Sequence, residues 1–302
     1  MIILPNGVDI NNLIDDLRTF SWEAANILIY YSNLLRDPNA KDYIIKNNND
    51  GSPVTKADLE ANEIIIRRIS EKYKDVSWEI LSEENVKVES ENIDINSKWL
   101  WVLDPLDGTK DFIQGTQNYA LHLALNYRQN PYIGIVLIPE KNELWFSNGT
   151  EVWCENKNGL KKTPKLSNNT ELSEMTLVTS KNHNNEVLKK LIEKINFKKV
   201  IVMGSIGCKI TSILRGESDL YLCLSLPGKS SPKDWDFAAP SALLKAAGGA
   251  VTNLDNKELV YNQPRFEQNG IIVASNNELN HEKVCLEIKE IILKNKIYNN
   301  FN

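Results

Sequence analysis

Apolar side chains over residues 9–35 fall at Ile10, Leu13, Ile14, Leu17, Ala24, Ile27, Leu28 and Tyr31. Steps of three and four predict a long amphipathic helix. Residues 45–53 are polar and contain Gly, which reads as a mobile loop. The helical period returns over 56–73, with Thr55 as N-cap and Asp58 in the first turn. Trp78-Glu79-Ile80-Leu81 reads as a short strand running into Ser82-Glu83-Glu84, and 86–97 as polar loop. Trp99-Leu100-Trp101-Val102-Leu103 is an apolar run of strand type. Strands over 119–127 and 132–138 flank Arg128-Gln129-Asn130-Pro131, a hairpin signal. Further strands at 143–148 and around Val152 extend an antiparallel sheet. The polar stretch 156–170, with Gly and Pro, predicts a boundary between an N-terminal α+β domain, 1–165, and a C-terminal α/β domain, 166–302. Beyond it strands and helices alternate: strands at 176–180, 199–203, 220–224 and 271–274, helices at 185–195, 206–215, 237–247 and 280–294. The whole predicts an α/β (α+β) fold.

Composition narrows the function more than the fold. The chain has 302 residues, 42% hydrophobic and 25% charged, as in a globular protein with a substantial core. A net charge of −5 argues against a nucleic-acid binder, although a bound metal could still bring in a phosphorylated small molecule. No basic n-region precedes an apolar core at the N-terminus, and no window is long enough to span a bilayer. The four cysteines, Cys154, Cys208, Cys223 and Cys285, form no CxxC pair and read as reduced thiols of a cytoplasmic protein. Of the three histidines, His122, His183 and His281, His122 falls in a strand and His281 in the last helix, and both read as structural.

The candidate chemistry centres on Asp104-Pro105-Leu106-Asp107-Gly108-Thr109-Lys110-Asp111-Phe112, directly after an apolar strand. Pro105 has no N–H to continue a ladder, and Gly108 permits a tight bend. Two aspartates so close on a constrained turn can meet at one point, a costly arrangement unless a hard cation such as Mg²⁺ lies between them. The alternative is a capped turn whose aspartates bond only nearby backbone N–H groups. Asp58, the Glu83–Glu84 pair and Asp234 with Asp236 also stand where an apolar segment stops or a helix starts.

Together, Asp104-Pro105-Leu106-Asp107-Gly108-Thr109 and Trp235-Asp236-Phe237-Ala238-Ala239-Pro240 resemble the paired signature of the inositol monophosphatase superfamily. Val54-Thr55-Lys56-Ala57-Asp58 and Leu81-Ser82-Glu83-Glu84 fall in that family's order, and the likeness runs from the first helix to Ala274. It implies a five-layer αβαβα sandwich and Mg²⁺-dependent phosphomonoester hydrolysis, with two or three ions per site and inhibition by Li⁺. By motif, Glu83, Asp104 and Asp107 would be metal ligands, joined by the Leu106 carbonyl, and Asp236 would hold a second ion. Asp58 and Thr109 would orient the attacking water, with Glu83 beside them in the catalytic set, and Glu84 is read as a bystander. The roles suit the reaction: a metal lowers the pKa of water and another steadies the leaving oxygen, while Thr109 can take a proton only with help from Asp58.

Within the superfamily, Lys110, Asp111 and Ser82 look like the 3′(2′),5′-bisphosphate nucleotidases. The stretch before Trp235 carries Lys229 and Lys233 where inositol monophosphatases usually have a glutamate; the lysines would meet a second phosphate or merely solvate a loop. Ser180 and His183 parallel a Ser-Arg-Ser-His element, with Lys181-Asn182 departing from it, and Ser205 and Lys209 parallel a Gly-Ser-x-x-x-Lys turn. Backbone N–H groups of Gly108 and Thr109 would face the phosphate, with Asp236 also beside the substrate. The resemblance implies adenosine 3′,5′-bisphosphate as substrate, cleaved to AMP and phosphate, with 3′-phosphoadenylyl sulfate as a second substrate. Rival readings are an inositol or sugar phosphatase and a non-catalytic metal or nucleotide binder. The expected partner is a small-molecule nucleotide, with no nucleic acid and no membrane, in a monomer or homodimer.

Overall fold

A computed structural model describes residues 3–5, 7–48, 51–89, 95–180, 186–225 and 231–297. Helix α1 (Ile10–Leu34) is opened by Asp9, whose Oδ1 accepts from the N–H groups of Asn11 and Asn12. After the short α2 (Lys41–Ile44), strands β1 (Ile45–Asn47) and β2 (Pro53–Thr55) pair antiparallel. The ends of the expected loop are therefore a small ribbon, which closes on the next helix. Helix α3 (Lys56–Lys72) buries Ala57, Ala61, Ile65 and Ile69, a strict fourfold stripe that packs against Leu13, Leu17, Ala24 and Leu28 of α1.

Strand β3 (Glu79–Ser82) leads without a break into α4 (Glu83–Glu89), a helix where the polar sequence reads as loop. Strand β4 (Trp99–Asp107) extends through Pro105, although its pairing changes register there. A short helix α5 (Thr109–Gln114) follows. Strands β5 (Ala120–Tyr127) and β6 (Asn130–Ile138) form a hairpin whose turn residues, Arg128 and Gln129, both have positive φ, as a two-residue type I′ turn requires. Then come β7 (Glu143–Ser147), β8 (Val152–Glu155) and β9 (Lys161–Lys162). The first sheet has the order β3-β4-β5-β6-β7-β8-β9, antiparallel except for β3 with β4.

The remaining elements are β10 (Thr176–Ser180), α6 (Glu186–Ile195), β11 (Lys199–Met203), α7 (Ile206–Leu214), β12 (Leu220–Leu224) and α8 (Asp234–Ala246). They continue as β13 (Ala250–Asn253), β14 (Ile271–Ser275) and α9 (Glu278–Lys294). Helix α8 starts three residues before the expected 237, which puts Asp236 inside its first turn. The second sheet runs β11-β10-β12-β14-β13 and includes β13, which the sequence pattern does not announce.

Three hydrophobic clusters separate five layers. Helices α1 and α3 cover one face of the first sheet through Trp101, Leu103, Leu121 and Leu123. Its other face (Leu100, Val102, Ala120, Ala124) meets α7 and α8, which also touch Val178, Tyr221 and Ile272 of the second sheet. Helices α6 and α9 close the outside over Leu177, Leu222 and Val273. This is the αβαβα sandwich. Its middle layer is pressed tightly onto the first sheet: a Cβ at Gly134 of β6 would lie 2.7 Å from both Ala239 O and Ala242 Cβ of α8. That close approach brings the start of α8 to the end of β4.

Candidate metal centre and active site

In a regular strand, residues three apart point to opposite faces. Along β4 the pairing steps from Asp104↔His122 to Asp107↔Ala120, so three residues of β4 span two of β5. This bulge falls at Pro105 and Leu106, where proline can offer no ladder donor, and it turns Asp104 and Asp107 toward the same point. Asp104 Oδ1 accepts from the Leu106 N–H at 3.0 Å, which stiffens the bend. Asp236 arrives from α8, its Oδ2 accepting from the Lys233 N–H at 2.6 Å. One carboxylate oxygen from each of Asp104, Asp107 and Asp236 lies within 4.8 Å of the others.

Glu83, the first residue of α4, reaches Asp104 and pairs with Lys87 at 2.7 Å. Glu84 is buried, shares Lys87 at 3.1 Å, and its charge is felt at Asp58. It lies beside the acidic cluster. Asp58 stands third in α3; its Oδ2 accepts from Thr55 N at 2.7 Å and Thr55 Oγ1 at 2.6 Å. Its Oδ1 faces Thr109 Oγ1 at 3.2 Å, and that hydroxyl also lies 3.1 Å from the Leu106 carbonyl. Gly108 makes the turn with φ 90°, and a Cβ there would sit 2.9 Å from Asn118 O.

The electrostatics of this cluster are lopsided. Burial, followed by the charges of Glu83, Asp107 and Asp236, pushes the Asp104 carboxyl well above its usual range. Burial and Asp107 raise Asp236 to about 7, against the opposing Lys233 N–H. Asp58 is likewise raised to about 7, chiefly by burial, with the Thr55 hydroxyl opposing. Asp107 goes the other way, to about 2: burial raises it, but His122, Lys209 and the Ser205 hydroxyl together outweigh burial. Buried acids that oppose one another's ionisation form a donor set suited to a hard divalent cation, whose charge would reverse the repulsion. Asp104, Asp107 and Asp236 are the carboxylates placed to hold such a cation, with Glu83 next to Asp104.

The other expected contacts are distributed differently. Ser205, the N-cap of α7, stands in a strained conformation (φ 56°, ψ 130°), with Oγ donating to Asp107 Oδ2 at 2.6 Å and accepting from Cys208 N. Lys209 is only 2% exposed; its Nζ donates to Ser205 O at 3.0 Å, which places it behind Asp107. Ser180 ends β10 against the Tyr221 hydroxyl. Lys233 donates to Arg265 O at 3.0 Å and pairs with Glu267. His183 and Lys229 lie outside the described residues. The residue missed from sequence is His122, whose Nε2 lies 3.1 Å from Asp107 Oδ2. The signal for it was the hairpin register, which sets His122 opposite Asp104. Two open surface clefts, one lined by Asp9, Asp16 and Tyr73 and the other by Arg18, Trp153 and Lys161, contain none of these residues.

The model of the inositol monophosphatase family matches residues 16–293. The chain belongs to the inositol monophosphatase family. It is a phosphatase of that superfamily. It is 33% identical over 214 residues to the 3′(2′),5′-bisphosphate nucleotidase CysQ of Buchnera aphidicola, covering 70% of this chain and 75% of the relative. The protein of the same name in Escherichia coli K12 is 28% identical, with 70% and 80% covered. Among solved structures, an IMPase of Thermotoga maritima superposes with a TM-score of 0.70 at 21% identity, covering 95% of this chain and all of that one, 100%. This structural likeness bears on the fold. Among the described residues, no helix is long and apolar enough to cross a membrane.

Proposed function

We propose that this family member is a Mg²⁺-dependent 3′(2′),5′-bisphosphate nucleotidase that converts adenosine 3′,5′-bisphosphate to AMP and phosphate. The observation that carries the reading is the convergence of Asp104, Asp107 and Asp236 within 4.8 Å, beside the Asp58–Thr109 pair. The substrate class is supported by the identity to relatives named as bisphosphate nucleotidases.

In this reading Glu83, Asp104, the Leu106 carbonyl, Asp107 and Asp236 hold the Mg²⁺ ions. When bound, Mg²⁺ supplies positive charge against the phosphoryl oxygens and makes water more acidic. Thr109 Oγ1 can accept a proton from the attacking water only by giving up its own. Asp58 Oδ1, 3.2 Å away, is the acceptor placed for that transfer. Water oxygen bonds to phosphorus as the bond to the 3′ oxygen breaks, and that oxygen leaves to be protonated as the ribose hydroxyl. The backbone turn at Gly108 and Thr109 presents N–H groups to the phosphate. Ser180, at a strand end, and the segments carrying His183 and Lys229 recognise the rest of the nucleotide. 3′-Phosphoadenylyl sulfate would be a second substrate, and the enzyme would work in the cytoplasm.

The test is phosphate release from adenosine 3′,5′-bisphosphate and from inositol 1-phosphate, each with and without Mg²⁺. Release from the nucleotide that depends on Mg²⁺ is expected. Equal or faster release from inositol 1-phosphate overturns the substrate, and Mg²⁺-independent release overturns the metal role.

A further inference from the structure

His122 is 0% exposed and sits in β5 directly opposite Asp104. Its Nδ1 lies 3.2 Å from the carbonyl of Trp235, the residue before Asp236. A carbonyl can only accept, so Nδ1 carries a proton. Its Nε2 lies 3.1 Å from Asp107 Oδ2. No hydrogen bond joins these two atoms, so the contact is a close approach of two polar groups. The same Oδ2 accepts from Ser205 Oγ at 2.6 Å and from Gly207 N at 2.9 Å. One oxygen of Asp107 is thereby committed to β5 and α7, which leaves Oδ1 for the cleft.

Position 207 is shaped around the imidazole. A Cβ at Gly207 would fall 2.2 Å from His122 Nε2, with Val136 Cγ1 at 2.9 Å and Ala120 Cβ at 3.0 Å. The ring cannot keep its place beside any larger residue at 207. A histidine that merely filled core space would not need both nitrogens directed at the two segments that bear the acids.

We propose that His122 is a positioning residue of the cation site, tying Asp107 to the start of α8 and thereby fixing the oxygen that Asp107 presents. The proposal rests on reading the carboxylate cluster as a divalent-cation site. Partners that orient a metal's ligands typically change its affinity 10–100-fold when removed.

The test uses the full chain freed of metal and Mn²⁺ alone as probe, its binding followed by electron paramagnetic resonance. Asparagine at 122 keeps a donor near the place of Nδ1, whereas glutamine places one near Nε2. His122→Asn is expected to weaken Mn²⁺ binding about tenfold, and His122→Gln to restore it to within about threefold of the parent. Thermal unfolding in chelator separates packing from positioning, since a packing role lowers the melting temperature of both variants and leaves Mn²⁺ affinity alone. Parental affinity in His122→Asn, or weaker binding by His122→Gln than by His122→Asn, overturns the proposal. If neither variant folds, Gly207→Ala carries the test with His122 in place. Its methyl would push the ring off Asp107 and weaken Mn²⁺ about tenfold, and unchanged affinity overturns the proposal. Absence of Mn²⁺ binding by the parent chain defeats the cation reading itself, and this inference with it.

Discussion

Asp104 and Asp107 are three residues apart, both buried and both aimed at one point, yet their surroundings push them in opposite directions. Around Asp104 the chain gathers acids from two other elements and from its own strand: Glu83 from α4, Asp236 from α8 and Asp107 from β4. Around Asp107 it gathers His122, Lys209, Ser205 and the Gly207 N–H from β5 and α7. One side of the site is neutralised by the fold; the other is suited to a cation. The paired aspartates of one motif are thus unequal partners, and the difference comes from the neighbours that each half of the chain supplies.

Substitutions can break that asymmetry. Asp104→Asn should reduce phosphate release by at least about a hundredfold, beyond the usual cost of losing an outer contact to a metal. It should also raise the melting temperature of the metal-free protein, because it removes a carboxyl whose ionisation the folded state opposes. A lower melting temperature in chelator would contradict the account of Asp104. Asp107→Asn should also stop turnover but act oppositely on stability, costing about 3–5 kcal/mol by leaving the buried Lys209 without its counter-charge. Urea unfolding of the two metal-free variants side by side tests the contrast.

Titration sharpens it further. Asp58 and Asp236 carry pKa values of about 7, raised from 3.8, so their contribution is complete below the unfolded value and lost as pH rises through 7. Asp107, lowered from 3.8 to about 2, contributes above its unfolded value and loses that contribution as pH falls through 2. The metal-free protein should therefore lose stability from this cluster between about pH 4 and 7. Mg²⁺ a hundredfold above its dissociation constant should offset part of that loss, adding about 2.7 kcal/mol. Melting curves that are flat with pH in chelator would count against the buried acids. The smallest effect is expected at the cap: Thr55→Ala should cost about 1 kcal/mol and slow turnover by loosening Asp58.

How much of this could be read from the chain depended on whether a feature is local. The acids at 104, 107 and 236 stand in short motifs, and the long helices and buried strands announce themselves by period. The bulge that turns Asp104 and Asp107 together also has a local cause in Pro105, although the strand continues past it. Helix α4 was hidden because Glu83–Glu89 is short and highly charged, and its place is set by the strand before it. The ribbon of β1 and β2 is polar, so its pairing leaves no apolar trace. His122 looked like any strand residue, because its meaning lies in cross-strand register and in a helix start 113 residues away. His281 does fit a structural role, bonded to Thr252 and Ser275 within the core.

Asp58 and Asp236 each occupy the third position of a helix, and each gives Oδ2 to the backbone N–H that precedes the first turn. What remains for the cleft is the other oxygen. Asparagine would keep the cap and lose the charge, while glutamate would keep the charge and lengthen the reach past the cap. The same four-atom group serves as a structural joint and a chemical tool, so natural drift at these two positions has almost nowhere to go.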